Sequence, residues 1–233
     1  MINPNINLDK IRRAFTEAKI AEVPNFLSQT YADSLFNFFN SEKLESSWIA
    51  SFYPSPIGKL EFLRNTKPNQ PRINKNIMHV SRAFVAGKFS YCFYGFLEKH
   101  DDSCKCTACV VRGFFHRSET IMKFSTMTGM HLVQCNEVIC SCYKGGNFLS
   151  PHEDKAKGKL GFVLNLSRDW LPQFGGNLNF LDDDWIHIRK VVVPKFNNLV
   201  LFDLPKGKGV PHFVSHIFPG VSLKRLGIAG WFS

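Results

Sequence analysis

HLVQCNEVICSCY, residues 131–143, is where the chain changes texture. From there on, short β-branched or aromatic runs follow one another at nearly even spacing, at 131–143, 159–167, 176–181, 185–193, 198–203, 210–218 and 224–232, with Gly, Pro and Asp between them. Runs of that length bounded by turn residues read as strands. Seven or eight strands without intervening helices make a sandwich or jelly-roll barrel, because each strand has to bury one face against another sheet. Asp182-Asp183-Asp184 falls between two runs and reads as a solvated hairpin turn rather than a calcium site.

Upstream the pattern is mixed. Leu8 to Lys19 is a basic amphipathic segment, and Ile20-Ala21-Glu22-Val23 is a strand with its exit at Pro24 to Leu27. Ser28 offers an N-cap to a helix through about Asn40, on which Tyr31, Leu35 and Phe38 or Phe39 recur at helical spacing. Residues 50 to 80 carry Pro54, Pro56, Pro68 and Pro71, the composition of an irregular connection or a lid. Phe89 to Phe96 reads as an aromatic strand, broken by the polar run Glu98 to Asp102, and Ser118 to Thr128 as a helix ended by Gly129. The phenylalanines are mostly core, those of 84–96 being candidates for a substrate channel. The expectation is one domain over 1–233, mainly β with flanking helices: helical support over about 1–130 and a β core over about 131–233.

Composition narrows the classes. A chain of 233 residues, 44% hydrophobic and 21% charged, is ordinary for a globular domain. At that length about 70–75% of the unfolded surface is buried, so neither disulfides nor a structural metal are required. No stretch approaches the roughly 18 apolar residues of a membrane span, and the first residues lack a signal-like apolar run, so the protein reads as soluble, unexported and cytoplasmic. Seven cysteines, six of them crowded between 104 and 142, suit a reducing compartment. The formal charge of +10 favours acidic partners without choosing among them, and the scatter of Lys and Arg disfavours nucleic acid.

The chemistry gathers around Pro151-His152-Glu153-Asp154, in the loop expected between the first two β runs. In an extended chain side chains two apart share a face, so His152 and Asp154 can reach one point while Glu153 turns away. Imidazole plus carboxylate, completed by a distant histidine, makes the facial triad that holds Fe(II) with positions left open. His212, in Val210-Pro211-His212-Phe213-Val214-Ser215-His216-Ile217, is the candidate. His216, on the same expected strand face, competes for the role. An H-x-D triplet alone is weak, since it occurs by chance in many proteins.

The surrounding order of residues strengthens it. Residues 143–154, YKGGNFLSPHED, then Phe162 to Trp170, Gly175-Gly176-Asn177-Leu178, Asn198 to Phe202, His212-x-Val214-x-x-Ile217 and Arg225 followed by Trp231-Phe232 resemble, in order, the prolyl-hydroxylase-like branch of the Fe(II)/2-oxoglutarate-dependent oxygenases. The resemblance covers some ninety residues from about Cys142. It implies a double-stranded β-helix (jelly-roll, cupin-like) core and a dioxygenase that uses Fe(II), 2-oxoglutarate and O2. It assigns the iron to His152, Asp154 and His212, and the distal carboxylate of 2-oxoglutarate to Arg225, whose planar guanidinium can bind both oxygens where Lys224 could not. Tyr143 corresponds to a tyrosine that can hydrogen-bond the co-substrate. Asn165 stands where many relatives place another tyrosine, and is expected to help form the carboxylate pocket. Asp154 occupies a position that is Gly or Ala in related halogenases, so hydroxylation is expected, of an amino-acid side chain in a protein, peptide or free amino acid. Two alternatives stand beside this reading. A nucleic-acid oxidative demethylase on the same fold is weakened because Trp231 replaces a second arginine usual in that group. The other is a non-catalytic β-sandwich binding module.

Cys104-Lys105-Cys106-Thr107-Ala108-Cys109 is C-x-C-x-x-C, with His100 and His116 nearby. Three thiolates and one further donor could hold zinc. The spacing is not among the stronger zinc signatures, and reduced loop cysteines are the favoured account. Cys140 and Cys142 share a strand face and read as packing residues. Substrate identity and oligomeric state are not legible in the sequence.

Overall fold

The computed structural model describes residues 1–96, 103–205 and 209–233. The expected break at Glu98 to Asp102, and His100 with it, lie outside these residues. Helix α1 (Leu8–Ala18) starts at Asn7, whose side chain accepts from the Lys10 amide at 2.9 Å, and strand β1 (Ile20–Pro24) follows directly. Helix α2 (Gln29–Asn40) begins after Ser28 as expected, but the Ser28 side chain makes no capping hydrogen bond.

The segment expected to be an irregular connection is ordered. Strands β2 (Ile49–Tyr53) and β3 (Glu61–Arg64) form a hairpin, and helix α3 (Gln70–Val85) follows. Pro71 does not prevent α3, because it sits in the first turn, where its missing N–H would have had no intrahelical acceptor. The aromatic strand is β4 (Tyr91–Gly95), and α4 (Thr107–His116) and α5 (Ser118–Thr128) come next. Gly129 ends α5 with φ of 72°, the left-handed conformation in which glycine is least strained.

The C-terminal strands are β5 (Cys135–Tyr143), β6 (Phe148–His152), β7 (Leu160–Asn165), β8 (Leu178–Leu181), β9 (Ile188–Val192), β10 (Asn198–Asp203), β11 (His212–Val214) and β12 (Arg225–Phe232). Seven of these eight fall in the expected runs. The eighth, β6, corrects the placing of His152 in a loop: it ends a strand paired to both β4 and β11. Together with β1 to β4 they form a curled antiparallel sheet in the order β1-β10-β7-β12-β5-β4-β6-β11-β8-β9, with β2 and β3 branching from β4. This is the expected jelly-roll core with helices on its outside.

Alternation divides the packing. Leu226, Ile228 and Phe232 of β12, Cys140 and Cys142 of β5, Phe162 and Leu164 of β7 and Leu199 and Leu201 of β10 join Phe15, Phe115 and Phe124 of the helices in an outer core. Tyr143, Trp231, Val200, Phe202, Phe180 and Val214 join in a second core inside the curl. Arg225, Gly227, Ala229 and Trp231 therefore face inward, as their spacing predicts. Asp184 accepts hydrogen bonds from the Ile186 and His187 amides and pairs with the His187 ring, so the acidic triplet is a hairpin turn between β8 and β9. No helix among the described residues is long and apolar enough to cross a membrane.

Candidate active site

Two strands bring the histidines together. β6 and β11 pair antiparallel with His152 directly opposite His212, and the ring centroids lie 4.3 Å apart. Asp154, two residues beyond His152, returns its carboxylate between them, with Oδ1 3.6 Å from His152 Nε2 and Oδ2 3.5 Å from His212 Nε2. One donor atom from each residue thus falls in a group within 4.8 Å. Donors about 2.1 Å from a shared ion sit roughly 3.0–3.4 Å apart, so the arrangement fits a metal with little movement.

The rest of each side chain is committed elsewhere. His152 Nδ1 meets the Ser150 carbonyl at 3.0 Å and His212 Nδ1 the Val210 carbonyl at 2.8 Å. A carbonyl can only accept, so Nδ1 carries the proton and Nε2 presents its lone pair to the centre. Asp154 is buried, and its Oδ2 accepts from Trp231 Nε1 at 2.9 Å. Burial, reinforced by the adjacent His152, lowers the His212 pKa to about 4, so this imidazole is neutral and available as a ligand near neutral pH. Phe180 and Phe202 pack against its ring.

His216 does not join the group. β11 ends at Val214, where the chain leaves the strand, so the shared face expected of His212 and His216 does not exist. The His216 ring stacks on Phe148 at 3.9 Å and meets Phe84 edge-on, beside a groove of about 780 Å³ between α3 and the turns at Gly145 and Gly175. No member of the triad lines that groove.

Arg225 starts β12 opposite Tyr143 and is 2% exposed. Its Nε donates to the Gly176 carbonyl at 2.6 Å, and its guanidinium lies 4.9 Å from the centroid of the Tyr143 ring. Burial lowers its pKa, and the groups that act back on its charge are Tyr143 and Cys142 rather than a carboxylate. A buried cation whose neighbours are an aromatic ring and a thiol is incomplete without an anion. Gly176, at φ of 67°, is needed here because a Cβ would lie 3.0 Å from Arg225 Cδ. Lys224 is used otherwise, with Lys144, on Glu45.

Tyr143 is buried and stacked on Phe93 at 5.3 Å. Asn165 lies opposite Gly227 and Asn198; its amide donates to the Asn198 carbonyl at 3.4 Å, while its buried Oδ1 has no partner. An orphaned acceptor on the inward face marks a place where a ligand donor would be welcome. Trp231 was legible as an inward residue, but nothing local in the sequence announced its bond to Asp154, 77 positions away.

Comparison with known proteins agrees with this geometry. Residues 138–233 match the family model described as the 2OG-Fe(II) oxygenase superfamily. No curated protein sequence matches the chain. A prolyl-4-hydroxylase from Pseudomonas putida superposes with a TM-score of 0.60 at 17% identity over 97% of both chains. A 2OG-Fe(II) oxygenase family oxidoreductase from Burkholderia pseudomallei does so with 0.60 at 10% identity, over 100% of this chain and 93% of that one. A Trichoplax adhaerens prolyl hydroxylase, in complex with a peptide fragment of the hypoxia inducible factor oxygen degradation domain, gives 0.54 at 15% identity, over 97% and 88%. The β core over residues 138–233 is thus similar to the 2OG-Fe(II) oxygenase superfamily, and the fold of the chain is similar to that of the prolyl hydroxylases.

Proposed function

We propose that the chain hydroxylates an amino-acid side chain, presented by a peptide or protein, with His152, Asp154 and His212 as iron ligands and Arg225 as the anchor of 2-oxoglutarate. One observation carries the reading: a buried two-histidine, one-carboxylate set with both Nδ1 positions occupied shares an interior with a buried arginine that, among the described residues, faces no carboxylate. When bound, Fe(II) and 2-oxoglutarate supply the oxidising chemistry, coupling decarboxylation of the co-substrate with O2 to hydroxylation of a C–H bond.

The chain's own residues supply orientation and exclusion of water. The backbone carbonyls of Ser150 and Val210 hold the two imidazoles in one tautomer, and Trp231 holds the carboxylate. Arg225 offers its terminal nitrogens to a carboxylate, with the Tyr143 ring beside its guanidinium and the unpartnered Oδ1 of Asn165 on the inward face of β7. Phe89, whose ring centroid is 6.2 Å from that of His152, forms with Tyr53 and Tyr91 an aromatic surface next to the metal position. Such a surface suits an apolar or ring-bearing side chain, and the peptide-bound Trichoplax enzyme of similar fold adds support for a peptide substrate.

Anaerobic titration with Fe(II) and 2-oxoglutarate tests this. A weak visible charge-transfer band is expected in the wild type and not in His152→Ala. Arg225→Ala should keep iron binding but weaken 2-oxoglutarate by about 2–5 kcal/mol, a factor of roughly 30 or more. A folded wild-type protein without the band would return the chain to the reading of a binding module. The demethylase reading is disfavoured further, because Trp231 serves Asp154.

A further inference from the structure

A second set of metal-competent side chains converges far along the chain from the first. The Sγ atoms of Cys104, Cys106 and Cys109 all lie within 4.8 Å of one another. Local geometry accounts for it. Cys106 immediately precedes α4 with extended backbone, φ −64° and ψ 156°, and Cys109 lies in the first turn three residues on. Residues so placed face each other across a helix start. Cys104, two residues back along the chain, shares their side.

The other four cysteines, Cys92, Cys135, Cys140 and Cys142, are buried and belong to the outer core, so they are packing residues. Cys104, Cys106 and Cys109 are only partly buried. Cys106 packs against the outer core, but core filling does not explain why Cys104 and Cys109 converge on it. What the three share is their mutual approach at the surface end of α4, a set of sulfur donors brought together in a single group. A divalent ion bound there would take the sulfurs as thiolates.

We propose that Cys104, Cys106 and Cys109 bind a zinc ion that pins the start of α4, independently of the iron site. Zinc bound at about 2.3 Å by each sulfur sets the sulfurs about 3.8 Å apart, inside the 4.8 Å within which they already lie, and leaves a fourth position for one further donor. Thiolate softness separates the two sites chemically: three sulfurs select zinc, whereas two imidazoles and a carboxylate with open positions suit Fe(II). α4 then acts as a clamp, burying Ala108, Val111, Phe114 and Phe115 in the outer core. His116, at the other end of α4, takes no part in the cluster.

The test uses the full chain, loaded with Zn²⁺ and desalted. One equivalent of zinc should remain by elemental analysis, persist in His152→Ala and fall to background in Cys104→Ser, with Cys135→Ser unchanged. Co²⁺ in place of zinc should give a near-ultraviolet thiolate charge-transfer band, which histidine and aspartate ligands do not produce. Stepwise mercurial modification of the wild type gives the same information without a substitution: zinc should leave as the three thiols react. Zinc lost in His152→Ala, absence of the cobalt band, or a disulfide within the cluster of protein isolated from a reducing cytosol would each overturn the proposal.

Discussion

The His152–Asp154–His212 group and the Cys104–Cys106–Cys109 group each collect three donors within the same distance, yet they are built differently. The first draws on two strands whose pairing is enforced by the whole curled sheet, and each donor has a second atom tied down. The second lies within six consecutive residues at a helix start and stays partly exposed. The contrast teaches where chemistry can be placed. A site that must hold open positions in fixed directions needs its ligands oriented by the fold before the metal arrives. A staple can be ordered by the ion itself, since the sulfurs need only close around it.

The sharpest way to break the comparison is to remove one proposed ligand from each group. His212→Ala should abolish 2-oxoglutarate turnover, losing more than the 10- to 100-fold that removing a supporting hydrogen bond usually costs. Cys104→Ser should leave turnover close to wild type and lower only thermal stability and zinc content. Equal losses of turnover in both variants, measured as succinate release, would mean that the two sites are not independent.

A finer cut concerns the support of the first group. Trp231→Phe keeps a ring in the inner core but deletes the indole N–H that Asp154 accepts. Iron affinity or activity should fall by about 10- to 100-fold, with the fold intact by circular dichroism. An unchanged iron affinity would show that pre-orientation of Asp154 is not what distinguishes the strand-borne site.

The smallest effect is expected at Glu45, which pairs with Lys144 and with Lys224, the residue before Arg225. Burial opposes ionisation of Glu45, but hydrogen bonds and charge from Lys144 and Lys224 outweigh it, so its pKa is lowered from 4.5. A carboxylate lowered in the folded state contributes stability that is present above its unfolded pKa and lost as pH falls through the folded value. Glu45→Gln should therefore flatten the acid limb of stability just below pH 4.5, by no more than about 1 kcal/mol because the pair is partly solvated. Denaturant midpoints at pH 7 and pH 4 would show it; an unaltered acid limb would mean that the pairing of Glu45 with Lys144 and Lys224 does not stabilise the fold.

Much of the β core and of the candidate site was legible in residues 131–233. Inward and outward faces of β12 follow from strand period alone, which is why Arg225 and Trp231 could be placed together and Cys140 and Cys142 assigned to packing. The N-terminal half was less legible. α3 was hidden because Pro68 and Pro71 read as turn residues and its buried positions, Ile73, Asn76 and Val80, include an amide in the middle of the apolar face. β2 is a five-residue strand and β3 has no fully buried residue, so neither showed the alternation of a half-buried strand.

By itself the sequence determined the donor types, the two-residue spacing of His152 and Asp154, the C-x-C-x-x-C cluster and the inward alternation of β12. These depend on the fixed geometry of neighbouring residues in one chain. Only the tertiary structure decided that His152 ends a strand, that His212 rather than His216 stands opposite it, that Trp231 reaches Asp154, and that Arg225 lies buried with no carboxylate beside it among the described residues. Each of those depends on cross-strand register between segments tens of residues apart, and register is set by the packing of the whole sheet rather than by any local pattern.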